Sequence, residues 1–233
     1  MLQKATRIVN DFAHLFFPHT CEGCGSDVLD NNSPLCVSCL YQLPETGFLD
    51  VADNPVERKF YGQLKIAAAG CAYYFTKHSL LQHLVKQLKY KGNKDIGIFL
   101  GKQLGKQLAA SERFNNIDCI IPLPLNQKKE SRRGYNQAAI IAKGITACWP
   151  KPILLNAVER NVFTETQTHK DRIGRWQSMQ GVFVLKDHEA IRNKHILLVD
   201  DIITTGATLE ACGEAILSAT GSMLSIATVA YTI

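Results

Sequence analysis

The pattern of hydrophobic and polar positions predicts an alternation of strands and helices. Short apolar runs typical of strands occupy Lys65–Phe75, Asp118–Ile121, Ile153–Val158, Ile196–Val199 and Leu224–Tyr231. Helical periodicity is found between them, at Ser79–Tyr90, Ile96–Ala110, Asn136–Cys148 and Leu209–Ala219. Strand–helix–strand repeats of this length imply right-handed crossovers, so the pattern predicts a mainly parallel, doubly wound α/β sheet. Ligands of such sheets bind beyond the carboxyl ends of the strands.

A shorter and differently composed region precedes this pattern. Residues 1–17 alternate charged and apolar side chains without a signal-peptide core, which predicts an amphipathic helix. A linker rich in Pro, Asp, Asn and Gly runs from Pro44 to about Pro55. We therefore predict two units, residues 1–48 with the helix and a cysteine-rich finger, and residues 55–233 with the α/β domain.

The finger contains four cysteines in two closely spaced pairs, Cys21, Cys24, Cys36 and Cys39. Two CxxC pairs at this spacing favour a tetrahedral zinc ion in a structural role, because four protein ligands leave no position open for catalysis. An iron–sulfur cluster and a pair of redox-active CxxC sites are the alternatives.

Composition and charge limit the classes of molecule that the chain is expected to bind. Its 233 residues are 46% hydrophobic and 20% charged, ordinary values for a globular protein, and the net charge is +5. The longest gently apolar run, Ile66–Phe75, is too short to span a bilayer, so we expect no membrane insertion and a reducing, cytoplasmic location. Cations cluster in Lys77–Lys106 and Gln127–Gly134. They are either solvated faces or the binding surface of a polyanion, such as a polyphosphate or a nucleic acid.

The stretch Ile196–Thr208, ILLVDDIITTGAT, carries the most specific chemistry. Two adjacent carboxylates, Asp200 and Asp201, follow a buried strand, and as pure acceptors they suit the vicinal hydroxyls of a ribose. Small hydroxyl residues around a glycine then lead into a helix N-terminus, a site that favours phosphate. The alternative is an acidic capping turn without a ligand.

This stretch resembles the phosphoribosyl-pyrophosphate (PRPP) motif of type I phosphoribosyltransferases. The resemblance implies that Asp200 and Asp201 hold the ribose, and that the 5-phosphate is bound by Thr204, Thr205, Gly206, Ala207 and Thr208. It also implies the type I phosphoribosyltransferase fold for the α/β domain, with the small zinc finger appended to it.

Further segments resemble the ComF/GntX subfamily. They include LKYKG at Leu88–Gly92, the IPLPL loop at Ile121–Leu125 and SRRGYNQA at Ser131–Ala138. The segment ERNVFTETQTHKDRIGRWQSMQGVF is similar to a flexible catalytic loop of that subfamily, although Ser178 stands where an Asn is usual. The positions that match this loop are Arg160, Thr164, Gln167, Arg172 and Arg175.

The resemblance implies that an acceptor displaces pyrophosphate from C1 of Mg-PRPP. Arg132, Arg133 and Arg160 would neutralise the leaving pyrophosphate, because guanidinium groups bind phosphate in a bidentate way. Asp200, Asp201, Arg133 and Arg160 are the predicted catalytic residues, and the sequence does not identify the acceptor.

Members of the ComF group are associated with DNA uptake, which gives a second hypothesis. The chain would then be a non-catalytic accessory that binds single-stranded DNA beside a DNA-translocase partner, with Tyr90 and Tyr135 either as stacking platforms or as packing residues. A PRPP-sensing regulator is a weaker third hypothesis, because no helix-turn-helix segment is evident.

Overall fold

The structure, a computed structural model, describes residues 19–27, 33–161 and 182–233. Its strands are β1 Ala68–Phe75, β2 Cys119–Pro122, β3 Val158–Arg160, β4 Phe183–Leu185, β5 His195–Ile203 and β6 Met223–Thr232. Its α-helices are α1 Val37–Tyr41, α2 Pro55–Arg58, α3 Leu80–Tyr90, α4 Lys94–Ala110, α5 Gln127–Arg133, α6 Gln137–Cys148, α7 His188–Ile191 and α8 Ala207–Leu217. The helix predicted for residues 1–17 lies outside the described residues.

Four strands form the central sheet, in the order β1-β6-β5-β2, and every pair in it is parallel. In the register, Asp200 of β5 lies opposite Thr228 of β6, and Pro122 at the end of β2 lies opposite Val199. The carboxyl ends of β2 and β5 therefore meet at one edge, followed by the loops that lead into α5 and α8. The predicted parallel α/β sheet is confirmed.

The sheet is buried on both faces, which explains the uninterrupted apolar runs of its inner strands. Along β5, Leu197 and Val199 belong to one hydrophobic cluster, whereas Ile196 and Leu198 belong to the other. The first cluster is completed by α3, α4 and α6, and the second by α2, α8 and the β3–β4 pair. Helices on both faces of a parallel sheet define the doubly wound arrangement.

Helices α4 and α6 pack unusually closely, and glycine makes this possible. A Cβ atom at Gly101 of α4 would lie 2.2 Å from the carbonyl oxygen of Ile141, and one at Gly144 of α6 would lie 2.3 Å from that of Ile98. The two backbones thus touch where side chains would normally separate them. This contact sets the distance between two of the helices that cover the first face.

The cysteine-rich segment contributes to the same core. Leu35, Cys39 and Leu43 are buried together with Leu81 and Leu84 of α3. The carboxylate of Glu22 accepts hydrogen bonds from the side-chain amides of Gln87 and Asn93, the latter at 3.0 Å. The finger is thereby fixed to the helix whose C-terminal end approaches β5.

The segment from Pro44 to Pro55 is held firmly along β1. The amide of Thr46 donates to the carbonyl of Ala72 at 3.0 Å, and the amide of Tyr74 donates to that of Pro44 at 2.8 Å. Asn54 is buried, and its side-chain nitrogen donates to three backbone carbonyls, those of Phe48, Val51 and Ala69. A polar and proline-containing composition here reflects satisfied turns against the sheet.

The prediction of a strand at Ile153–Val158 is wrong. Only Ile153 bridges the sheet, in parallel with Ile120, and the chain then turns outward before it forms β3. β3 pairs antiparallel with β4 outside the central sheet. Bends at residues 155–157 interrupt the apolar run. The hydrophobic pattern could not reveal this, since a run of apolar residues looks the same in a strand and in a packed loop.

Candidate functional site

The candidate site begins at the carboxyl end of β5, with Asp200 and Asp201. Both residues still belong to the strand, whose last residue is Ile203, so the acidic pair is held by the ladder to β6. The amide of Asp201 donates to Oδ1 of Asp200 at 2.8 Å. Two carboxylates on consecutive residues of a rigid strand cannot move apart, and their repulsion must be balanced by neighbouring groups.

The pKa of Asp200 is raised above its usual value. Burial is the largest cause and the neighbouring charge of Asp201 is the second, while the amide of Asp201 and the positive charges of Lys89 and Arg160 oppose the rise. Asp200 therefore favours its protonated form until a ligand or cation offsets these costs. A raised carboxyl pKa in a cleft marks a candidate functional residue.

Asp201 is balanced by a residue from another element. Nζ of Lys89, in the last turn of α3, lies 2.8 Å from Oδ2 of Asp201. The side chains of Lys89 and Asp201 are 21% and 10% exposed, so this ion pair is shielded from solvent. It joins α3 to β5 across the site.

Lys89 also lines a small cationic pocket, which we call the arginine pocket. Its volume is about 310 Å³, and it is formed by Lys89, Tyr90, Gly92, Arg132 and Arg133. Arg132 and Arg133 belong to the last turn of α5, and the guanidinium of Arg133 stacks 5.5 Å from the ring centroid of Tyr90. Three cations around one pocket create a strong attraction for an anion.

The segment after Arg133 explains how this arginine is placed. Gly134 ends α5 with a left-handed backbone, φ 76°, which a glycine adopts without strain. Gln137 is buried, and its Oε1 accepts a hydrogen bond from Nη1 of Arg133 at 2.6 Å. Asn136 accepts the amides of Ala138 and Ala139 at the start of α6 and donates to the carbonyl of Leu123. The segment Ser131–Ala138, which we call the Arg133 box, thus holds Arg133 and the loop after β2 in place together.

The loop after β5 leads directly into α8. Thr204, Thr205 and Thr208 are exposed, while Gly206 is buried with φ 90°. A Cβ atom at Gly206 would lie 3.3 Å from the ring of Phe60, so both backbone and space favour glycine. The first amides of a helix have no intrahelical acceptor. The exposed hydroxyls stand next to these amides, an arrangement able to bind a phosphate.

Arg160 is the last residue of β3, and its positive charge acts on Asp200. Its guanidinium lies 5.3 Å from the ring centroid of Phe183 in β4. It also lines a cavity of about 660 Å³ with Pro124, Tyr135, Asn136 and Glu159. This cavity lies between the loop after β2, the start of α6 and β3, and it is large enough for a second small molecule.

The four predicted metal ligands come together in space. The Sγ atoms of Cys21, Cys24, Cys36 and Cys39 all lie within 4.8 Å of one another, and those of Cys24 and Cys36 are 3.8 Å apart. Zinc–sulfur bonds of about 2.3 Å in a tetrahedron place sulfur atoms at nearly that separation. A Cβ atom at Gly23 would come within 2.9 Å of Sγ of Cys39, so glycine is needed in the first pair. The cluster can hold a metal ion such as zinc.

The structure brings most of the sequence-predicted residues around one cleft. Asp200 lies near the positive charges of Lys89 and Arg160, and Lys89 joins Asp201 to the pocket of Arg132 and Arg133. Thr164, Gln167, Arg172 and Arg175 lie outside the described residues. Tyr135 cannot be a stacking platform, since it is buried and its hydroxyl donates to the carbonyl of Leu88. The sequence did not identify Lys89 as a site residue, although the segment LKYKG that contains it resembles the ComF/GntX subfamily.

The described helices include none that is both long and apolar enough to cross a membrane.

Comparison with known proteins gives the class of this chain. A family model described as "Phosphoribosyl transferase domain" matches residues 131–232, which include the Arg133 box, the acidic pair and the loop before α8. A solved glutamine PRPP amidotransferase from B. subtilis, complexed with ADP and GMP, is 18% identical with a TM-score of 0.41, covering 57% of this chain and 26% of that one. The matched domain, the parallel sheet and the cysteine cluster define the type I phosphoribosyltransferase fold with a zinc-finger-like motif.

Three curated proteins are similar to this chain. Competence protein F of Haemophilus influenzae is 27% identical over 83% of this chain and 89% of its own length. DNA utilization protein YhgH of Escherichia coli K12 is 26% identical over 59% of this chain and 61% of its own. Competence protein ComFC of Bacillus subtilis is 25% identical over 61% and 56%. The chain thus aligns with only about three-fifths of the length of each of the last two relatives. The chain is therefore similar to proteins of the ComF group and contains a phosphoribosyltransferase-like domain.

Proposed function

We propose that this protein binds Mg-PRPP and transfers its phosphoribosyl group to an acceptor that has not been identified. The observation that carries the proposal is the continuous arrangement at the end of β5. There the two aspartates are followed by exposed threonines around Gly206 and then by the N-terminus of α8. This order supports the proposal, because carboxylates that suit ribose hydroxyls are followed closely by amides and hydroxyls that suit a 5-phosphate.

The reaction would be a displacement at C1 of the ribose. A bond forms between the acceptor's nucleophilic atom and C1, the bond from C1 to pyrophosphate breaks, and pyrophosphate leaves with the electron pair. Asp200 and Asp201 orient the ribose, and their negative charge favours the positive charge that develops on the sugar. Arg132, Arg133 and Arg160 neutralise the leaving group.

The remaining binding roles follow the family resemblance. Thr204, Thr205, Gly206, Ala207 and Thr208 bind the 5-phosphate. We assign substrate binding to Thr164, Gln167, Arg172 and Arg175, as the resemblance to the ComF/GntX catalytic loop implies, and exclusion of water there would protect PRPP from hydrolysis.

Two metal ions accompany this function. Magnesium would be bound together with PRPP, where its charge would offset that of the pyrophosphate oxygens. Asp200 and Asp201, when ionised, would offer the oxygen ligands that such a hard cation prefers. Zinc is the ion we assign to Cys21, Cys24, Cys36 and Cys39, where it has a structural role.

The test is the thermal unfolding of the protein with and without Mg²⁺ and PRPP. At about 100 times Kd, binding stabilises the fold by roughly 2.7 kcal/mol. For a chain of this size that corresponds to a rise in Tm of about 5–10 °C. The double variant Asp200→Asn/Asp201→Asn should lose this rise, whereas Asp50→Asn, an exposed control, should keep it. Absence of a shift in the wild type at millimolar PRPP would refute the proposal.

A second candidate function is DNA handling without catalysis, in DNA uptake and beside a DNA-translocase partner in the cytoplasm. The observation that favours it is Tyr90, which is 66% exposed and lies against Arg133 at the arginine pocket. An exposed aromatic ring beside arginines can stack a base and bind its phosphate. The names of the similar proteins, which concern competence and DNA utilization, favour the same function.

Salt dependence separates the two candidates. If the basic surface binds the phosphate backbone, affinity for a single-stranded oligonucleotide should fall steeply between about 50 and 200 mM salt. The cause is the release of counterions from the nucleic acid on binding. Oligonucleotide binding should also survive Asp200→Asn/Asp201→Asn, whereas PRPP binding should not. A variant that loses PRPP binding but keeps DNA binding would establish that the two activities use different residues.

A further inference from the structure

Lys89 takes part in two features of the site at once. It forms the ion pair with Asp201, at 2.8 Å, and it lines the arginine pocket beside Arg132 and Arg133. The acidic pair and the pocket therefore share one cation. An anion in the pocket and the carboxylate of Asp201 compete for the same ammonium group.

The pocket itself is built for an anion. Its described lining contains three cations, one tyrosine and one glycine, and no acidic side chain. Within the part of the chain that the structure describes, Nε of Arg133 is buried without a hydrogen-bond partner. A buried donor without an acceptor is costly. An oxygen of a bound phosphate group would satisfy it.

The backbone of Lys89 is fixed, so only its side chain can exchange partners. On one side the neighbouring Gln87 donates to Glu22 of the finger. On the other side Tyr135 donates to the carbonyl of Leu88. The four-carbon stem of a lysine is flexible, and its ammonium can turn between partners at low cost.

From this geometry we propose that Lys89 makes the site selective for a ribose phosphate that carries a second anionic group at C1. The inference rests on the proposed PRPP function and deepens it. The ion pair with Lys89 makes Asp201 less available to ribose hydroxyls. A pyrophosphate at C1 enters the arginine pocket, gives Lys89 a new partner, and frees Asp201 for the sugar.

The same argument explains which ligands are rejected. Ribose 5-phosphate can occupy the loop before α8, but it offers Lys89 no anion. It would have to break the ion pair of Lys89 and Asp201 without replacement, which is unfavourable in a shielded site. Lys89 is thus a specificity-determining residue, and the ratio of the two affinities measures its effect.

The experiment measures the binding of Mg-PRPP, ribose 5-phosphate and inorganic pyrophosphate by calorimetry. The variants are Lys89→Met and Asp201→Asn, with Lys86→Met as the matched control on an exposed position of α3. In Lys89→Met the preference for PRPP over ribose 5-phosphate should fall about tenfold or more, because PRPP loses a charged partner while ribose 5-phosphate no longer meets a blocked Asp201. Lys86→Met should keep the wild-type ratio.

Asp201→Asn tests the competition without removing Lys89. Inorganic pyrophosphate should bind this variant several-fold more tightly than the wild type, since the competing carboxylate is gone. This readout also serves if Lys89→Met fails to fold. An unchanged preference in Lys89→Met, or an unchanged pyrophosphate affinity in Asp201→Asn, overturns the role of Lys89 while PRPP binding by the wild type stands. If the wild type binds PRPP and ribose 5-phosphate equally well, this inference alone fails, and if the wild type does not bind PRPP at all, the proposed function and this inference both fail.

Discussion

At the scale of single residues, the two neighbouring aspartates differ because their surroundings differ. Asp201 has a cation in direct contact, at 2.8 Å from Lys89, whereas Asp200 has the amide of Asp201 and more distant positive charges. Burial and the charge of Asp201 raise the pKa of Asp200. The pair can therefore hold a proton that ligand binding would release.

This difference predicts a pH-dependent stability. A carboxyl whose pKa is raised by folding stabilises the native state fully below its unfolded pKa, near 4, and this stabilisation is lost as the pH rises through the folded pKa. Asp200→Asn removes the titrating group. Its free energy of unfolding, relative to the wild type, should rise from about pH 4 toward pH 8, by about 1.4 kcal/mol for each unit of the pKa shift.

Urea unfolding at a series of pH values measures this effect. Asp50→Asn, at an exposed position, serves as the control and should follow the wild-type profile. A constant difference between Asp200→Asn and the wild type across this range would contradict a raised pKa at Asp200.

At the scale of elements, the close contact of α4 and α6 depends on glycine at the crossing. Alanine in a helix is normally better than glycine by about 1 kcal/mol. At Gly101, however, the new Cβ would meet the backbone carbonyl of Ile141 at 2.2 Å. Backbone atoms in a packed pair of helices cannot move aside independently.

Gly101→Ala should therefore destabilise the protein by about 2–3 kcal/mol, in spite of the gain in helix propensity. Gly213→Ala in α8 is the matched comparison, because its Cβ would meet the ends of the Leu64 and Leu224 side chains, the nearest at 2.6 Å. Leucine ends can shift, so the cost there should be smaller, within about 1 kcal/mol. Chemical denaturation measures the free energy of unfolding of both variants. Equal losses of stability in the two would argue against backbone contact as the cause.

At the scale of the whole molecule, the cysteine cluster is continuous with the main core. Cys21 and Cys39 are buried among residues of α3, and Glu22 is tied to Gln87 and Asn93. Metal binding should therefore stabilise more than the finger. It should also fix α3, whose end carries Lys89.

We predict that the protein contains one zinc ion per chain and that a chelator lowers its Tm. Cys36→Ser should contain little zinc and should unfold at a lower temperature, with no further response to the chelator, because three thiolates hold zinc less tightly. Cys148→Ser, which changes a half-buried cysteine outside the cluster, should retain both the zinc and the response. Elemental analysis with calorimetry checks this. A metal content equal in the two variants would exclude the assigned ligands.

Much of the fold was predictable because its signals are local. Ser79 and Asn136 were placed at the starts of helices and do cap α3 and α6. The buried run of β5 predicted a parallel inner strand, and its partners β2 and β6 confirm it. The short elements α5, α7 and β3–β4 were not predicted as such, since three to seven residues carry too little periodicity.

The sequence by itself determined the chemistry that is written in consecutive residues. These are the four cysteines at metal-ligand spacing, the two adjacent aspartates, and the threonine-rich loop before a helix, where chain connectivity alone brings the groups together. Only the tertiary structure decided which distant residues meet them. Lys89 contacts Asp201 across more than a hundred residues, because α3 packs over the end of β5. Tyr135 can be buried because its hydroxyl donates a hydrogen bond to the carbonyl of Leu88, which lies in α3. Such contacts depend on how helices cross the sheet, and no local pattern encodes that geometry.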